Sequence, residues 1–156
     1  MKAKKPQAKV NIFTEGLTLP WNGVTKARLA AVCRAICGEL FSEPASLTVI
    51  LTTNEGIRAV NKQYRKKNKP TDVISFAYNE EPFPGEEKTA ATELGDIYIS
   101  LEKAAEQSSD YGLTLAEEIK RLLIHGTLHL LGYDHERSKE DAKIMQAEEE
   151  RLFDAV

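Results

Sequence analysis

Apolar residues follow helical spacing in some segments and β-branched runs in others, and this alternation predicts the elements of the fold. Between positions 24 and 40, apolar residues recur three and four positions apart, which predicts an amphipathic helix that ends in the region 38–44. Positions 46–51 are rich in β-branched residues and carry little polar surface, which predicts a central strand. An edge strand is predicted earlier, at positions 10–13.

A short helix is predicted directly after the central strand. Thr52 is followed three residues later by Glu55, which is the spacing of a capping box at a helix N-terminus. The apolar face of this helix is formed by Ile57, Val60 and Tyr64. Two more strands, at positions 72–78 and 94–99, flank an acidic loop at 79–93 that we expect to be mobile and to border a functional site.

Three further helices are predicted in the C-terminal half. One begins at Leu101 and ends at Gly112, and the next opens at a capping box formed by Thr114 and Glu117. The second half of this helix is apolar nearly all round, which predicts that it is buried. A last helix starts at Ser138, and its many glutamates predict a solvated face.

The order of these elements predicts the fold class. Four strands interleaved with about five helices favour an α/β (α+β) fold, in which a small mixed four-stranded sheet with at least one parallel crossover packs against the helices. The 156 residues fit a single domain, positions 1–156, whose lysine-rich N-terminal residues we expect to form a flexible arm.

Charge is distributed unevenly along the chain. The formal net charge of -3 and the pI near 5.7 argue against a protein that coats nucleic acid by bulk electrostatics. Basic residues nevertheless crowd one short segment, which we call the basic segment: Lys62, Arg65, Lys66, Lys67 and Lys69.

The sequence also bears on cellular location and redox chemistry. No apolar stretch approaches the ~18 residues needed to cross a bilayer, and the N-terminal residues lack the apolar core of a secretory signal, so we expect a cytoplasmic protein. Cys33 and Cys37 are four residues apart on a predicted helix, where a disulfide would be strained and where two more soft ligands would be needed for a metal. We therefore expect both cysteines to serve packing.

All three histidines of the chain fall between positions 125 and 135. His125 and His129 are four residues apart, so on a helix they project from one face and can reach the same ion. Gly132 is expected to end the helix in a left-handed conformation and to turn the chain back, so that His135 adds a third nitrogen. The alternative is two core histidines and one surface histidine, but imidazoles without partners are costly to bury. The spacing therefore predicts a three-histidine metal site with an open fourth position.

The ligand types indicate the metal and the reaction. Three neutral nitrogen ligands suit one zinc ion, whereas calcium and magnesium prefer several oxygens. Zinc with an open position activates water at neutral pH and polarises a phosphoryl or carbonyl oxygen, so we expect a hydrolase. The protease signature His-Glu-x-x-His has a glutamate after its first histidine, where this chain has Gly126. A protease built on this site would therefore lack its general base.

The histidine run resembles the signature of the YbeY family of bacterial endoribonucleases, also called rRNA maturation factors. The matching run is His125-Gly126-x-Leu128-His129-x-x-Gly132-x-x-His135. Two further blocks agree, and they are Asn61-Lys62-Gln63-Tyr64-Arg65 with Pro70-Thr71-Asp72-Val73-Ile74-Ser75-Phe76, and Leu94-Gly95-Asp96-Ile97. Together these blocks span most of the chain from the second strand to the histidines.

This resemblance implies a zinc-hydrolase-like fold and a single-strand-specific endoribonuclease that acts in rRNA processing. Maturation of the 3′ end of small-subunit rRNA and ribosome quality control are the processes implied. The resemblance places zinc at the three histidines, and it carries an arginine essential to activity over to Arg65. It further implies partners among small-subunit ribosomal components and a ribosome-associated GTPase.

Several side chains near these motifs have two interpretations. Arg65 can grip phosphate oxygens with its planar guanidinium, while the neighbouring lysines either steer a polyanion or form a solvated loop. Asp134 either orients an imidazole or stabilises a turn, and Asp72 and Asp96 are similarly open. Three aromatic residues either stack on unpaired bases or belong to the core, and they are Phe76, Tyr78 and Tyr133.

Two other functions fit part of the pattern. A metalloprotease is favoured by the metal spacing and opposed by Gly126 and the basic segment. A non-catalytic ribosome assembly factor would use zinc structurally and would dock its basic segment on RNA. A site with three ligands, however, is not the closed arrangement of a structural zinc site.

Overall fold

The computed structural model describes residues 8–78 and 92–156, and this part of the chain contains four strands and five helices. The strands are β1 (Lys9–Thr14), β2 (Ala45–Thr52), β3 (Val73–Ala77) and β4 (Thr92–Ser100). The helices are α1 (Lys26–Leu40), α2 (Asn54–Arg65), α3 (Leu101–Tyr111), α4 (Leu115–Leu130) and α5 (Lys139–Ala155). None of these five helices combines the length and apolar content that a membrane span requires. The predicted N-terminal arm and most of the predicted acidic loop lie outside the described residues.

The four strands form one mixed sheet in the order β1-β2-β4-β3. β1 and β4 both run parallel to β2, and β3 pairs antiparallel with β4 at one edge of the sheet. The helix α1 separates β1 from β2 along the chain and supplies the crossover that parallel neighbours need. The predicted α+β class, the mixed four-stranded sheet and the central place of β2 are therefore confirmed.

One face of the sheet carries the main core together with α1, α4 and α5. Alternate residues of the strands point into it, and Leu47, Val49 and Ile97 are each 1% exposed or less. The helix α4 is buried along most of its length, as its nearly all-round apolar sequence predicts. Burying a leucine or isoleucine side chain stabilises a fold by roughly 1.5–3 kcal/mol, so this packing holds α4 in one rotation about its axis.

The two cysteines lie inside this core on α1 and are free thiols. Burial raises the pKa of Cys33 to about 12 and that of Cys37 to about 11. Both side chains therefore stay protonated and apolar in character, which confirms the predicted packing role.

The helix α2 begins one residue later than the sequence pattern suggested. Thr53, not Thr52, is its N-cap, and the Thr53 hydroxyl accepts a hydrogen bond from the backbone N–H of Gly56 at 3.1 Å. The predicted capping box of Thr52 with Glu55 is therefore wrong. Thr52 is the last residue of β2 and is 1% exposed, because its pairing with Ser100 extends the strand through this position. The second predicted capping box, Thr114 with Glu117, is confirmed with both of its hydrogen bonds.

The pairing of β2 with β4 shifts near the start of both strands. Ser46 pairs with Glu93 whereas Leu47 pairs with Gly95, so one residue of β4 is left over as a bulge. Gly95 has a φ of +149°, and a Cβ atom at this position would lie 2.1 Å from the backbone oxygen of Phe76 on β3. Glycine is required here because β3 passes too close for a side chain.

We expect the substitution Gly95→Ala to lower the free energy of unfolding by about 1–3 kcal/mol, since alanine adds both steric overlap and backbone strain. Urea unfolding followed by circular dichroism measures this loss. Gly38→Ala is the matched control, because Gly38 lies in α1 with nothing within 4 Å of its would-be Cβ atom. This control should stabilise the protein by about 0.5–1 kcal/mol through helix propensity. Equal midpoints for both variants would contradict the close approach of β3.

Candidate metal centre and basic cleft

The helix α4 places His125 and His129 on one face, one turn apart. Their Nε2 atoms are 3.2 Å from each other, and the centroids of the two rings are 4.6 Å apart. The rotation of α4 is fixed by the core, so the two imidazoles are held at the surface of this helix that faces away from the core. Two nitrogen atoms of the chain thus converge on one point.

The chain reverses directly after α4, and this reversal brings in the third imidazole. Gly132 has a φ of +94° and its N–H donates to the backbone oxygen of His129 at 3.0 Å. The N–H of Tyr133 donates to the backbone oxygen of Leu128 at 3.1 Å, which completes a Schellman motif. The predicted bend at Gly132 is present. As a result, the centroid of the His135 ring lies 5.3 Å from that of His125 and 5.2 Å from that of His129.

The three histidines have the geometry of a metal-binding group. One nitrogen from each ring can be chosen so that all three lie within 4.8 Å of one another. Two nitrogens bound to one tetrahedral zinc ion at about 2.0–2.1 Å are roughly 3.3 Å apart, which is close to the separation in the α4 pair. Within residues 8–78 and 92–156, this group consists of three imidazoles, and a tetrahedral ion held by three ligands keeps one position for water or substrate. The donor set therefore fits a metal ion that takes part in chemistry.

His129 is held in its neutral form. Burial, followed by the nearby charges of His125, His135 and Arg65, lowers the pKa of His129 to about 4. A neutral imidazole is the form that binds a metal ion. The site is therefore ready to bind a cation at neutral pH without first losing a proton from this ring.

Glu149 on α5 contacts His125 on the side of the ring that points away from His129. Its Oε2 atom is 3.1 Å from Nδ1 of His125, the ring nitrogen opposite the one that approaches His129. Burial opposes ionisation of Glu149, but the hydrogen bond with His125 and the charges of His125 and Arg121 outweigh it, so the pKa of Glu149 stays below its ordinary value. The ionised carboxylate can thus accept a hydrogen bond from an N–H of this ring.

Glu149 is not among the site residues predicted from the sequence, where the many glutamates of the last helix predict one solvated face. That interpretation is wrong for this residue, whose side chain is only 25% exposed. Glu149 follows Met145 by four positions and precedes Leu152 by three, and both of these residues are fully buried. A glutamate on the buried stripe of an amphipathic helix was the signal that could have identified it.

A cleft of about 570 Å³ is lined by the three histidines and by part of the basic segment. Arg65, Lys67 and Lys69 line this cleft, whereas Lys62 and Lys66 are not among its lining residues. The remaining lining residues are Asn61, Thr71, Asp72, Val73, Ser75, Ala77, Asp134 and Glu136. The structure thus brings Arg65 and the three histidines, separated by sixty residues in the sequence, to one cavity.

A buried asparagine, Asn61, holds the loop that carries Lys67 and Lys69 in place. Asn61 is 3% exposed, and its Nδ2 atom donates to the backbone oxygen of Lys69 at 2.9 Å. The backbone oxygen of Asn61 in turn accepts a hydrogen bond from the N–H of Lys67 at 3.2 Å. Lys66 between them ends α2 in the left-handed conformation, with a φ of +60°. The loop that carries the lysines is therefore folded back onto the end of α2.

The three aspartates left open by the sequence have protein partners. Asp134 accepts a hydrogen bond from the N–H of Glu136 at 2.8 Å, which lowers the pKa of Asp134 and stabilises the turn that contains His135. Asp72 accepts from its neighbour Val73 and from Gln107 on α3. Asp96 accepts from the hydroxyl of Tyr78. Asp134 and Asp72 line the cleft, and Asp96 does not.

The aromatic residues considered for base stacking are not brought to the cleft. Phe76 packs edge-on against Tyr64 at 5.2 Å and Tyr98 at 5.9 Å, between ring centroids. Val73, Ser75 and Ala77 of β3 line the cleft, so the alternating residues Phe76 and Tyr78 point to the opposite face of the sheet. Tyr133 packs against the core.

The chain is similar to known proteins in sequence and in structure. Residues 21–156 match the model of the family described as endoribonuclease YbeY. The endoribonuclease YbeY of Sulfurihydrogenibium sp. (strain YO3AOP1) is 47% identical over 136 residues, which cover 85% of this chain and 84% of that protein. The endoribonuclease YbeY of Persephonella marina is 41% identical over 133 residues, with the same shares covered. A solution structure of a protein from Thermotoga maritima matches with a TM-score of 0.59 and 27% identity, covering 94% of this chain and 87% of that one.

In the metal-free protein we expect the imidazole of His129 to titrate near pH 4, well below its ordinary value of 6.5. Nuclear magnetic resonance of the histidine rings measures this midpoint. Unfolding restores the ordinary pKa, so the unfolded chain takes up the proton first, and the metal-free protein should lose stability as the pH falls from about 6.5 towards 4. His125→Asn removes one neighbouring charge and should raise the midpoint. A midpoint near 6.5 in the unaltered protein would contradict the clustered arrangement.

Proposed function

The chain belongs to the endoribonuclease YbeY family, and from this premise we propose that it is a zinc-dependent endoribonuclease that cleaves single-stranded RNA. The observation that carries this proposal is the cleft itself, which Arg65, Lys67 and Lys69 line together with the three histidines. A polyanionic substrate needs positive potential where it binds and a group that activates the scissile phosphate where it reacts. The cations and the histidines of the cleft supply these two requirements.

Cationic side chains in the cleft offer contacts for RNA phosphates although the formal net charge of the chain is -3. Arg65, Lys67 and Lys69 line the cleft together with three carboxylates, those of Asp72, Asp134 and Glu136. Most contacts of proteins to nucleic acid go to phosphate oxygens, and lysine and arginine make many of them. We therefore assign phosphate binding to Lys67 and Lys69, with Arg65 nearest to the chemistry.

Arg65 has the properties of a residue that stabilises charge during the reaction. It lies at the end of α2, its side chain is exposed to the cleft, and its charge contributes to the low pKa of His129. The guanidinium is a planar fork that can donate two parallel hydrogen bonds to a phosphate group. We propose that Arg65 neutralises the negative charge that develops on the phosphate oxygens when the chain is cut.

The proposed zinc ligands are His125, His129 and His135. When bound, zinc supplies Lewis acidity toward a phosphate oxygen and lowers the pKa of water. The neutral form of His129 and the contact of His125 with Glu149 support this assignment, because both leave a ring nitrogen free to bind a cation.

A metalloprotease is a poorer fit to this site. Gly126 occupies the position of the protease glutamate and packs directly on the sheet, where a Cβ atom would lie 3.0 Å from the side chain of Ile97 and 3.1 Å from Oγ of Ser75. The Ser75 hydroxyl also donates to the backbone oxygen of Gly126 at 3.2 Å. A glutamate side chain would have to displace this packing, so the proton acceptor of a protease has no place here.

The finer parts of the proposal follow from the family. We propose that positions 1–156 act as one domain in the cytoplasm, where the substrate is ribosomal RNA and the reaction contributes to 3′ end maturation of small-subunit rRNA and to ribosome quality control. Small-subunit ribosomal components and a ribosome-associated GTPase are the proposed partners. The cationic side chains Arg65, Lys67 and Lys69 in the cleft support an RNA substrate.

Incubation with an unstructured RNA, before and after chelation, tests the proposed activity, with casein as the protease control. We expect RNA cleavage that is lost with the chelator and restored by zinc, and no cleavage of casein. His129→Ala should lose both metal and RNA cleavage. Intact rRNA processing in cells that carry His129→Ala would instead favour the non-catalytic assembly factor.

We expect Arg65→Glu to retain zinc and the fold but to reduce RNA cleavage by about 10²- to 10³-fold or more, because the transition-state charge then faces a carboxylate. Single-turnover cleavage rates and zinc content measure the two effects separately. Arg58→Glu is the matched control, since Arg58 is an exposed arginine of the same helix that does not line the cleft. Cleavage by Arg65→Glu at the rate of this control would remove Arg65 from the mechanism.

A further inference from the structure

We infer that Glu149 is a positioning residue that orients His125 and thereby raises the affinity of the three-histidine site for its metal ion. This inference rests on the proposed function, because it assigns Glu149 a role toward the metal proposed there. Glu149 belongs to α5, an element that supplies none of the proposed ligands or basic residues.

The hydrogen bond geometry selects one form of the His125 ring. Oε2 of Glu149 lies 3.1 Å from Nδ1 of His125, and an ionised carboxylate can only accept a hydrogen bond, so this contact favours the ring form in which Nδ1 carries a proton. In a neutral ring that is protonated at Nδ1, Nε2 keeps its lone pair, and this is the atom 3.2 Å from Nε2 of His129. The contact therefore places the correct nitrogen, in the correct protonation form, toward the metal position.

The contact is sheltered enough to hold the ring in place. The His125 side chain is 23% exposed and that of Glu149 is 25% exposed, so both partners of this hydrogen bond are largely shielded from water. Glu149 is itself fixed, because Met145 and Leu152 on the same face of α5 are fully buried. The carboxylate thus reaches His125 from a helix with little freedom to move.

The helix α5 has other attachments to α4, so Glu149 is not needed to dock it. Nζ of Lys120 donates to the backbone oxygens of Phe153 at 2.9 Å and of Val156 at 3.0 Å, and it lies 4.0 Å from the centroid of the Phe153 ring. These contacts and the buried residues of α5 hold the two helices together. Removal of the Glu149 carboxylate should therefore change the metal site without releasing the helix.

The test compares the zinc affinity of the full chain with that of two variants, using zinc alone as the probe and a chelator in competition. Glu149→Leu removes the acceptor, and we expect zinc to bind about 10- to 100-fold more weakly. Glu149→Gln retains an oxygen acceptor without the charge, and we expect a smaller loss. Glu150→Gln, which alters the adjacent exposed glutamate of the same helix, should bind zinc like the unaltered protein.

Two further readouts separate positioning from a purely structural role. In zinc-free samples the urea midpoint of Glu149→Leu should stay close to that of the unaltered protein. The ¹⁵N resonances of His125 in the zinc-loaded protein should show the Nδ1-protonated form, and Glu149→Leu should broaden or shift them.

Unchanged zinc affinity in Glu149→Leu would overturn the inference, and so would a loss of affinity matched by an equal loss of stability in the zinc-free protein. A failure of the unaltered chain to bind zinc at all would overturn the proposed function itself and this inference with it. Normal zinc binding by both Glu149 variants, with RNA cleavage intact, would overturn the inference alone.

Discussion

The candidate site depends on the backbone reversal at the end of α4. Two backbone hydrogen bonds, from Gly132 to His129 and from Tyr133 to Leu128, end the helix and reverse the direction of the chain. Gly132 adopts a φ of +94°, a backbone conformation that costs glycine little. Most other residues would adopt it only with backbone strain. Without the turn, the third imidazole would continue along the helix axis and the other two would remain an isolated pair.

The rest of the fold gives that turn a fixed frame. The helix α4 is buried on almost every side, and Gly126 lets it lie directly against the sheet. Burial of the apolar faces leaves only the histidine face free to meet the cleft, so the hydrophobic core sets the direction in which a polar site points. The edge strand β3, which pairs antiparallel with β4, lines the cleft with Val73, Ser75 and Ala77.

The parts of this structure that depend on neighbouring residues could be predicted from the sequence, and the parts that depend on tertiary contacts could not. The Thr114–Glu117 capping box and the bend at Gly132 are local, and both patterns predict them correctly. The strand order could not be predicted from the sequence, because side-chain periodicity does not specify which strands are neighbours. Glu149 was missed for a related reason, since its partner lies 24 residues earlier in the chain. The start of α2 was misplaced because two adjacent threonines compete for one cap, and strand pairing decides between them.

Asn61 has a consequence for how the cleft can work. The Asn61 side-chain amide holds the backbone of Lys69, and the Asn61 backbone oxygen holds that of Lys67, so this one buried residue fixes the loop with the two lysines at the end of α2 during folding. A ligand that binds there contacts a preorganised electrostatic surface. It does not have to restrict the conformational freedom of the lysine loop. The conformational entropy of the loop is thus lost before association, and more of the attraction between opposite charges remains available as affinity.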